Sequence, residues 1–391
     1  MVLTTSFEKS PTKDVRPLSL PKRYRVAVER SPRHWLAAAD AEQGLVRTPF
    51  QAPFWLEAWY HTLGASGERE PVLVTARDET SGQIALLLPW MLSRQSGLRV
   101  VEPADGGVSD YNGPILGPAA PQDAVGAADL WRDIKAALPP ADLVRIEKMP
   151  REIAGKANPL ALISSVKNSP LWGHVINIEG TFLEFLASRG KHFRKEIQRS
   201  RRVLEREGCV SFRAITDPGE AQMVFDTLEA YQGARMREAG VDYRLDEPAT
   251  RAFYRRALAD GLGSGEAQLF SLEVDGVIVA AVFGIADQSA FLLLRIANAG
   301  ERWRHCSPGR LIAAEIIEWL MAKEIRCIDM TIGDYAFKRQ FDPKPYPLVE
   351  LVEALSWRAL PVIARHRARD LVHRNERLLG IVRRVRGRIK G

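Results

Sequence analysis

Residues 290–341 constrain the fold of this 391-residue chain more than any other stretch, because they read strand, loop, helix, strand, loop. AFLLLRIA at 290–297 is a near-continuous apolar run, which suits a strand covered on both faces. Ser307 then precedes Pro308, and Pro is favoured at the first helical position. Leu311, Ile312, Ile316 and Trp319 follow at helical spacing, so one face of that helix is apolar. Gly309 removes a side chain at the helix mouth, leaving N–H groups and a positive dipole end that suit a phosphate. A second short strand is expected at 326–332, and GDYAFKRQF at 333–341 then places a carboxylate, a phenol, a lysine and an arginine in nine residues.

Strands and helices alternate through the preceding segments as well. QLFSLEV and VIVAAVFGIA flank Asp275-Gly276, a strong hairpin signal. A strand at 209–215 and helices at 217–239 and 248–260 come before it. A long helix is expected over 181–207, with Phe182, Phe185, Leu186, Phe193, Ile197 and Leu204 on its apolar side. Its other side carries Lys191, Arg194, Lys195, Arg199, Arg201, Arg202 and Arg206. That side is either a solvated face or a landing site for an anionic partner.

The first half predicts a short strand at 24–29, a helix from Pro32 and an aromatic helix within 48–64. Phe50, Phe54, Trp55, Trp59 and Leu63 fall largely on one side of it, which reads as core packing ahead of a ligand platform. Strands at 71–77 and 83–92 turn at Ser81-Gly82, and a helix at 123–137 and a strand at 141–146 follow. Residues 150–174, rich in Pro and Gly, read as a linker, and residues 1–22 as a polar disordered lead-in. The length favours two domains, set at 23–170 and 171–355. No apolar run reaches membrane-spanning length, no secretory signal is evident, and Cys209, Cys306 and Cys327 form neither a metal spacing nor a disulfide framework. A cytoplasmic location is therefore the expectation.

The motif GDYAFKRQF, with Cys327-Ile328-Asp329 and the Ser307-Pro308-Gly309 helix start, resembles the CelD/BcsL group of GNAT-like acyltransferases from cellulose biosynthesis. Gly333, Asp334, Lys338 and Phe341 match; Phe337 stands where that group usually has Tyr, and Tyr335 lies two residues earlier. Thr48-Pro49-Phe50 and Ser109-Asp110-Tyr111 look like the same group's amino-terminal half, so the resemblance spans about 25–350. It implies an α/β fold of tandem GNAT-like units, each a mixed sheet flanked by helices. The implied activity is acyl transfer from acetyl-CoA or another acyl-CoA to an amine or hydroxyl of a sugar, glycan or lipid-linked acceptor, in polysaccharide biosynthesis. The candidate roles are Asp334 as base, Tyr335 as acid and Lys338 as anion contact, with Ser307, Gly309 and Arg310 at the coenzyme pyrophosphate. RWRHCSPGR holds one Gly where the usual phosphate loop is Gly-rich. Two alternatives remain: a FemAB-like transferase using aminoacyl-tRNA, and a non-catalytic scaffold of a polysaccharide-export system.

Residues 356–391 stand apart. They hold ten Arg and one Lys against Asp370 and Glu376, a net +9, whereas the whole chain is +7. Leu371, Leu378, Val382, Val385 and Ile389 form a helical stripe. Such a tail either meets an anionic membrane or docks on its own protein with its arginines in water.

Overall fold

The computed structural model describes residues 23–65, 67–240, 245, 247–333 and 335–374. The expected lead-in, Asp334 and the tail beyond Arg374 lie outside these residues. Along the first half run β1 (Tyr24–Glu29), α1 (Pro32–Asp40), α2 (Pro53–His61), β2 (Arg69–Asp78), β3 (Ile84–Gln95), β4 (Leu98–Pro103), β5 (Ile115–Leu116), α3 (Ala124–Ala137) and β6 (Leu143–Pro150). A small hairpin, β7 (Glu152–Ile153) and β8 (Lys156–Ala157), precedes β9 (Lys167–Asn177). Then come α4 (Phe182–Ser188), α5 (Lys191–Glu205), β10 (Val210–Ile215), α6 (Pro218–Glu238), α7 (Pro248–Leu262), β11 (Ala267–Val274), β12 (Val277–Ala286) and β13 (Phe291–Asn298). The chain continues through α8 (Pro308–Ala322), β14 (Cys327–Asp329), α9 (Ala336–Arg339), β15 (Lys344–Ala354) and α10 (Leu360–Arg374).

Among the described residues these strands build one 13-stranded sheet in the order β1-β2-β3-β4-β6-β15-β9-β14-β13-β12-β11-β10, with β5 beside β3. The order is a duplication. Each half is an antiparallel run of four strands, then a helical crossover to a parallel strand, then an antiparallel partner. In the first half β4 meets β6 at only two residue pairs, Val100↔Leu143 and Val101↔Val144. In the second half β13 meets β14 at only two, Phe291↔Ile328 and Leu292↔Asp329. Both parallel pairs part just after they touch. The last strands are exchanged: β9 follows β6 in sequence but pairs with β14, whereas β15 follows β14 and lies between β6 and β9.

Most elements form where their patterns predict. The Asp275-Gly276 turn has φ of 49° and 77°, the doubly positive geometry that matches strand twist. Phe50, Phe54, Trp55, Trp59 and Leu63 are buried in one core cluster, as core packing requires, and the Trp55 ring meets Phe253 of α7 edge-on at 4.7 Å. The single helix expected over 181–207 is two. Thr181 and Glu184 close a capping box on α4, and the chain breaks at Gly190, whose φ of 92° a residue with Cβ adopts at a cost. The stretch read as a linker is ordered: it holds β7, β8, a 3-10 turn and the first eight residues of β9.

β15 escapes a pattern reading because Pro345 and Pro347 interrupt its apolar run. A register shift between Pro347 and Val349 absorbs the missing donor, and Leu348, Val349 and Leu351 are fully buried. β15 bonds to the first half through β6 and to the second through β9, so its apolar contacts hold both. Replacing Leu351 by Ala should therefore cost about 2–5 kcal/mol of unfolding free energy. Urea denaturation followed by circular dichroism checks this, and a loss well below that range would mean the sheet closes around the missing side chain.

Candidate functional site

The site is built from the parting of β13 and β14. Their pairing stops at Leu292 and Asp329, while β13 runs on to Asn298. On its other edge β13 carries a bulge: Phe283 faces Arg295 and Gly284 faces Leu293, leaving Leu294 as the extra residue. A bulge beside an opening re-aims the strand's polar groups. Gly284 is required there, because a Cβ would sit 2.3 Å from Phe291 Cζ and 2.4 Å from the Leu292 carbonyl oxygen. Arg295 fixes the bulged segment from beneath. It is 2% exposed, donates through Nε to Gln232 Oε1 at 2.8 Å, and lies over the Phe225 and Tyr254 rings. Gln232 in turn donates to the Ile296 carbonyl at 3.0 Å.

Beyond the end of β13 the chain turns into α8, and a cleft of about 300 Å³ opens between this mouth, α6 and α9. Ser307, Gly309 and Arg310 all line it, so the three expected coenzyme contacts are brought together. Ser307 has left-handed geometry, φ 51° and ψ 51°, and its side chain makes no cap bond to α8. Gly309 packs on Asn298, whose Oδ1 would lie 2.6 Å from an added Cβ. Arg310 is held by Gln340 Oε1 at 2.7 Å and Glu196 Oε2 at 3.1 Å. Tyr231, Arg235 and Arg304 also line the cleft, and a motif reading had no access to them because two lie on α6, far away in sequence.

The mouth of α3, the counterpart helix in the first half, differs. Asp123 caps it, its Oδ1 accepting from Val125 N at 3.0 Å and Gly126 N at 2.9 Å. The parting of β4 and β6 is also crossed by an ion pair between Arg145 and Glu102, with Gln95 joined to both.

Of the expected chemical residues, Asp334 lies outside the described residues. Tyr335 is 65% exposed. Lys338 is buried; its Nζ donates to the Ile332 carbonyl at 2.5 Å and the Thr331 carbonyl at 3.3 Å, 5.3 Å from the Tyr335 ring centre. Much of its hydrogen-bonding capacity thus holds the turn that follows β14.

That turn contains an arrangement the motif reading missed. Thr331 sits at φ 59°, a left-handed conformation that is strained for a β-branched residue and that clusters at functional sites. Its N–H donates to Asp329 Oδ1 at 2.6 Å, and His174 Nδ1 donates to its carbonyl at 3.2 Å. Asp329 also accepts from Tyr111 at 2.8 Å and from Tyr346 at 2.8 Å. Tyr111 comes from the first half and Tyr346 from β15, so one carboxylate joins three segments. Burial pushes the Asp329 carboxyl up to about 6, against these hydrogen bonds, which hold it down. Burial likewise raises Asp110, opposed by its hydrogen bond with Thr331 and by Lys148 and Lys338. The signal available in sequence was the Ser109-Asp110-Tyr111 turn, but its contact with Asp329 spans more than two hundred residues.

The displaced Asp329 carboxyl makes stability depend on pH. An unfolded Asp titrates near 4, so the folded state holds this proton more tightly. The resulting stabilisation is complete below about pH 4 and is lost as pH rises through about 6, a change of about 3 kcal/mol. Asp329→Asn keeps an acceptor for Thr331 and Tyr111 and presents an amide donor to the Tyr346 oxygen. Wild type should lose about 2 kcal/mol relative to this variant between pH 4 and pH 7. Urea unfolding at intervals of pH measures the difference, and parallel curves would show that Asp329 titrates as an ordinary carboxyl.

Residues 191–339, from the start of α5 to the end of α9, match the family model described as an acetyltransferase (GNAT) domain. No curated protein matches the chain. Among solved structures the chain is similar to FemX, with 11% identity, 84% of this chain and 97% of that one covered, and a TM-score of 0.57. It is similar also to a conserved protein of unknown function from Bacteroides thetaiotaomicron VPI-5482, at 12% identity, 85% and 100% coverage and a TM-score of 0.51. A third is the C-terminal domain of a proposed lysylphosphatidylglycerol synthetase from Agrobacterium fabrum, at 12% identity, 82% and 92% coverage and a TM-score of 0.50. At these identities the likeness is one of fold. With the duplicated sheet, it gives this chain a tandem GNAT-like fold, and the match over 191–339 to an acetyltransferase (GNAT) domain in its second half supports an acyltransferase.

Proposed function

We propose that the second half binds acetyl-CoA or a longer acyl-CoA in the cleft at the mouth of α8 and passes the acyl group to an amine or hydroxyl of a sugar, glycan or lipid-linked acceptor. The observation that carries the donor assignment is the contrast between the two helix mouths. The mouth of α3 is filled by its own Asp123, whereas Ser307 leaves α8 without a side-chain cap in a cleft lined by Arg235, Arg304 and Arg310, with Glu238 and Glu301 also on its wall, Arg304 paired to Glu301 and Arg310 to Glu196. A pyrophosphate gains from uncapped N–H groups and basic side chains, and loses beside a fixed carboxylate. The parted β13 then offers backbone N–H groups along which a thioester carbonyl can align and where its developing oxyanion is stabilised.

The acceptor proton needs a base, because an alkylammonium with a pKa near 10 is only about one part in a thousand neutral at pH 7. Asp334 is the proposed base: in sequence it lies five residues after the end of β14 and three after Thr331, within the segment that carries the motif resemblance. Tyr335, exposed on the same segment, is the proposed acid that assists thiolate departure, and Lys338 steadies the turn through its carbonyl bonds. The proposed division of labour is a donor unit in the second half and acceptor-side contacts from the first, meeting at Tyr111, Asp329 and Tyr346. The polysaccharide role rests on the motif resemblance. Transfer from an aminoacyl-tRNA is the second reading, favoured by the fold likeness to FemX and by the exposed basic side of α5, which packs against α8.

Two measurements test this reading. Gly309→Asp places a carboxylate at the mouth of α8, whereas Gly309→Ala displaces only the exposed Asn298 side chain. The Asp variant should bind acetyl-CoA at least about tenfold more weakly than the Ala variant in calorimetry. Equal affinities would move the donor elsewhere, and no acyl-CoA binding by wild type would favour the aminoacyl-tRNA reading or a scaffold. Asp334→Asn should keep acyl-CoA affinity and lower turnover at least about tenfold, the low side of general-base contributions. Full turnover in that variant would assign the base to another group.

A further inference from the structure

The chain between β15 and α10 turns apolar side chains outward. Trp357 is 79% exposed, Leu360 57% and Val362 36%. Large apolar side chains grouped this closely on a surface mark a contact. The segment is not a frayed end, because its opposite side is anchored. Ala359 is buried with Val100 and Leu143, and Ile363 packs against that cluster. Arg358 donates to the Gly97 carbonyl at 2.9 Å and pairs with Asp142 at 3.5 Å. One turn further on, His366 Nε2 lies 3.1 Å from Glu350 Oε1. The start of α10 is thus docked on one side and open on the other, and the outward group is held in a fixed direction.

The charge of the sequence that carries and follows this group points to its partner. Residues 356–391 carry eleven basic and two acidic side chains. A surface that attracts them is anionic, and one that accepts Leu and Val beside a Trp is also apolar within a few ångströms. A bilayer with anionic headgroups meets both conditions, with Trp at the headgroup level and arginine stems lying over the apolar layer. Nucleic acid meets only the first, since it is gripped by several stacked aromatic rings and gives aliphatic side chains nothing to bury into. Among the described residues no helix is long and apolar enough to cross a membrane, so this contact lies on the surface.

We propose that Trp357, Leu360 and Val362 form an insertion edge that seats the protein on an anionic bilayer, with the arginines of residues 356–391 supplying the attraction. The inference does not depend on the acyl-transfer reading.

Co-sedimentation of the full-length protein with phosphatidylcholine vesicles, with and without phosphatidylglycerol, tests it. The protein should pellet with the anionic vesicles at low salt, stay in solution with neutral ones, and be released as salt screens the headgroups. Trp357→Ser with Leu360→Ser should lower partitioning at least about tenfold. Reversing Arg383, Arg384 and Arg386 to Glu should lower it more than about a hundredfold, since each basic side chain at such a surface contributes about fivefold. Trp357 and Leu360 are exposed, and an unchanged urea midpoint verifies folding of every variant. Tryptophan emission should shift to the blue on anionic vesicles in wild type and not in Trp357→Phe. Absence of pelleting at low salt, or an apolar double variant that pellets like wild type, overturns the proposal. Tighter binding to an RNA oligonucleotide than to the vesicles, unaffected by the double variant, assigns the surface to nucleic acid instead.

Discussion

The carboxylate of Asp329 is the point on which this molecule closes. It ends β14, where the parallel pairing of β13 and β14 gives out. Its ligands arrive from three places: a phenol of the first half, a phenol of β15 and the N–H of Thr331 two residues on. A buried carboxylate with fewer donors would be costly, because an unpaired charge in a low-dielectric interior pays most of its desolvation uncompensated. The two tyrosines therefore do more than join the halves. They make it tolerable to end a central strand in a charge, and their own titration is driven upward by burial and by Asp329 beside them.

The exchange of β9 and β15 gives the same union in the backbone. Each strand completes the half to which it does not belong in sequence, so neither half closes its sheet by itself. Duplication leaves two parted strand pairs, and side chains give them different fates. In the first half Arg145 and Glu102 bridge the gap and Asp123 occupies the helix mouth. In the second half the bridge is replaced by a bulge at Leu294 and a Gly-opened mouth at Gly309. The same backbone plan is thus tuned once for closure and once for access.

Much of this plan was legible in the sequence because it rests on local signals. The 290–322 strand, loop and helix, the Asp-Gly hairpin and the aromatic helix of the first half each announce themselves by period or by turn chemistry. The start of α8 was legible too, through Ser307-Pro308-Gly309. What stayed hidden was non-local. β15 carries prolines that argue against a strand, and only its two neighbours make it one. Gly190 looks like an ordinary glycine until its positive φ divides a helix. Lys338 reads as an anion contact by residue type, but the Thr331 and Ile332 carbonyls lie close enough to take its donors. Asp329, Tyr111 and Tyr346 carry no joint motif, since their meeting is a product of sheet order.

The electrostatics of the junction explain why its carboxyl groups are unequal. Asp105 is paired directly with Lys148 at 2.5 Å and also takes the N–H groups of Gly107 and Ser109. Asp110 feels both Lys148 and Lys338, but each ammonium is already engaged, one by Asp105 and the other by backbone carbonyls. Asp329 is bound by neutral groups, two phenols and an amide N–H, and the charge of Asp110 raises it further. Ionising the last carboxyl of such a group costs more than ionising the first, and burial enlarges the difference. Burial thus raises both Asp110 and Asp329 above the ordinary carboxylate value, against the hydrogen bonds each makes. Because Thr331 touches both, its left-handed backbone fixes their spacing.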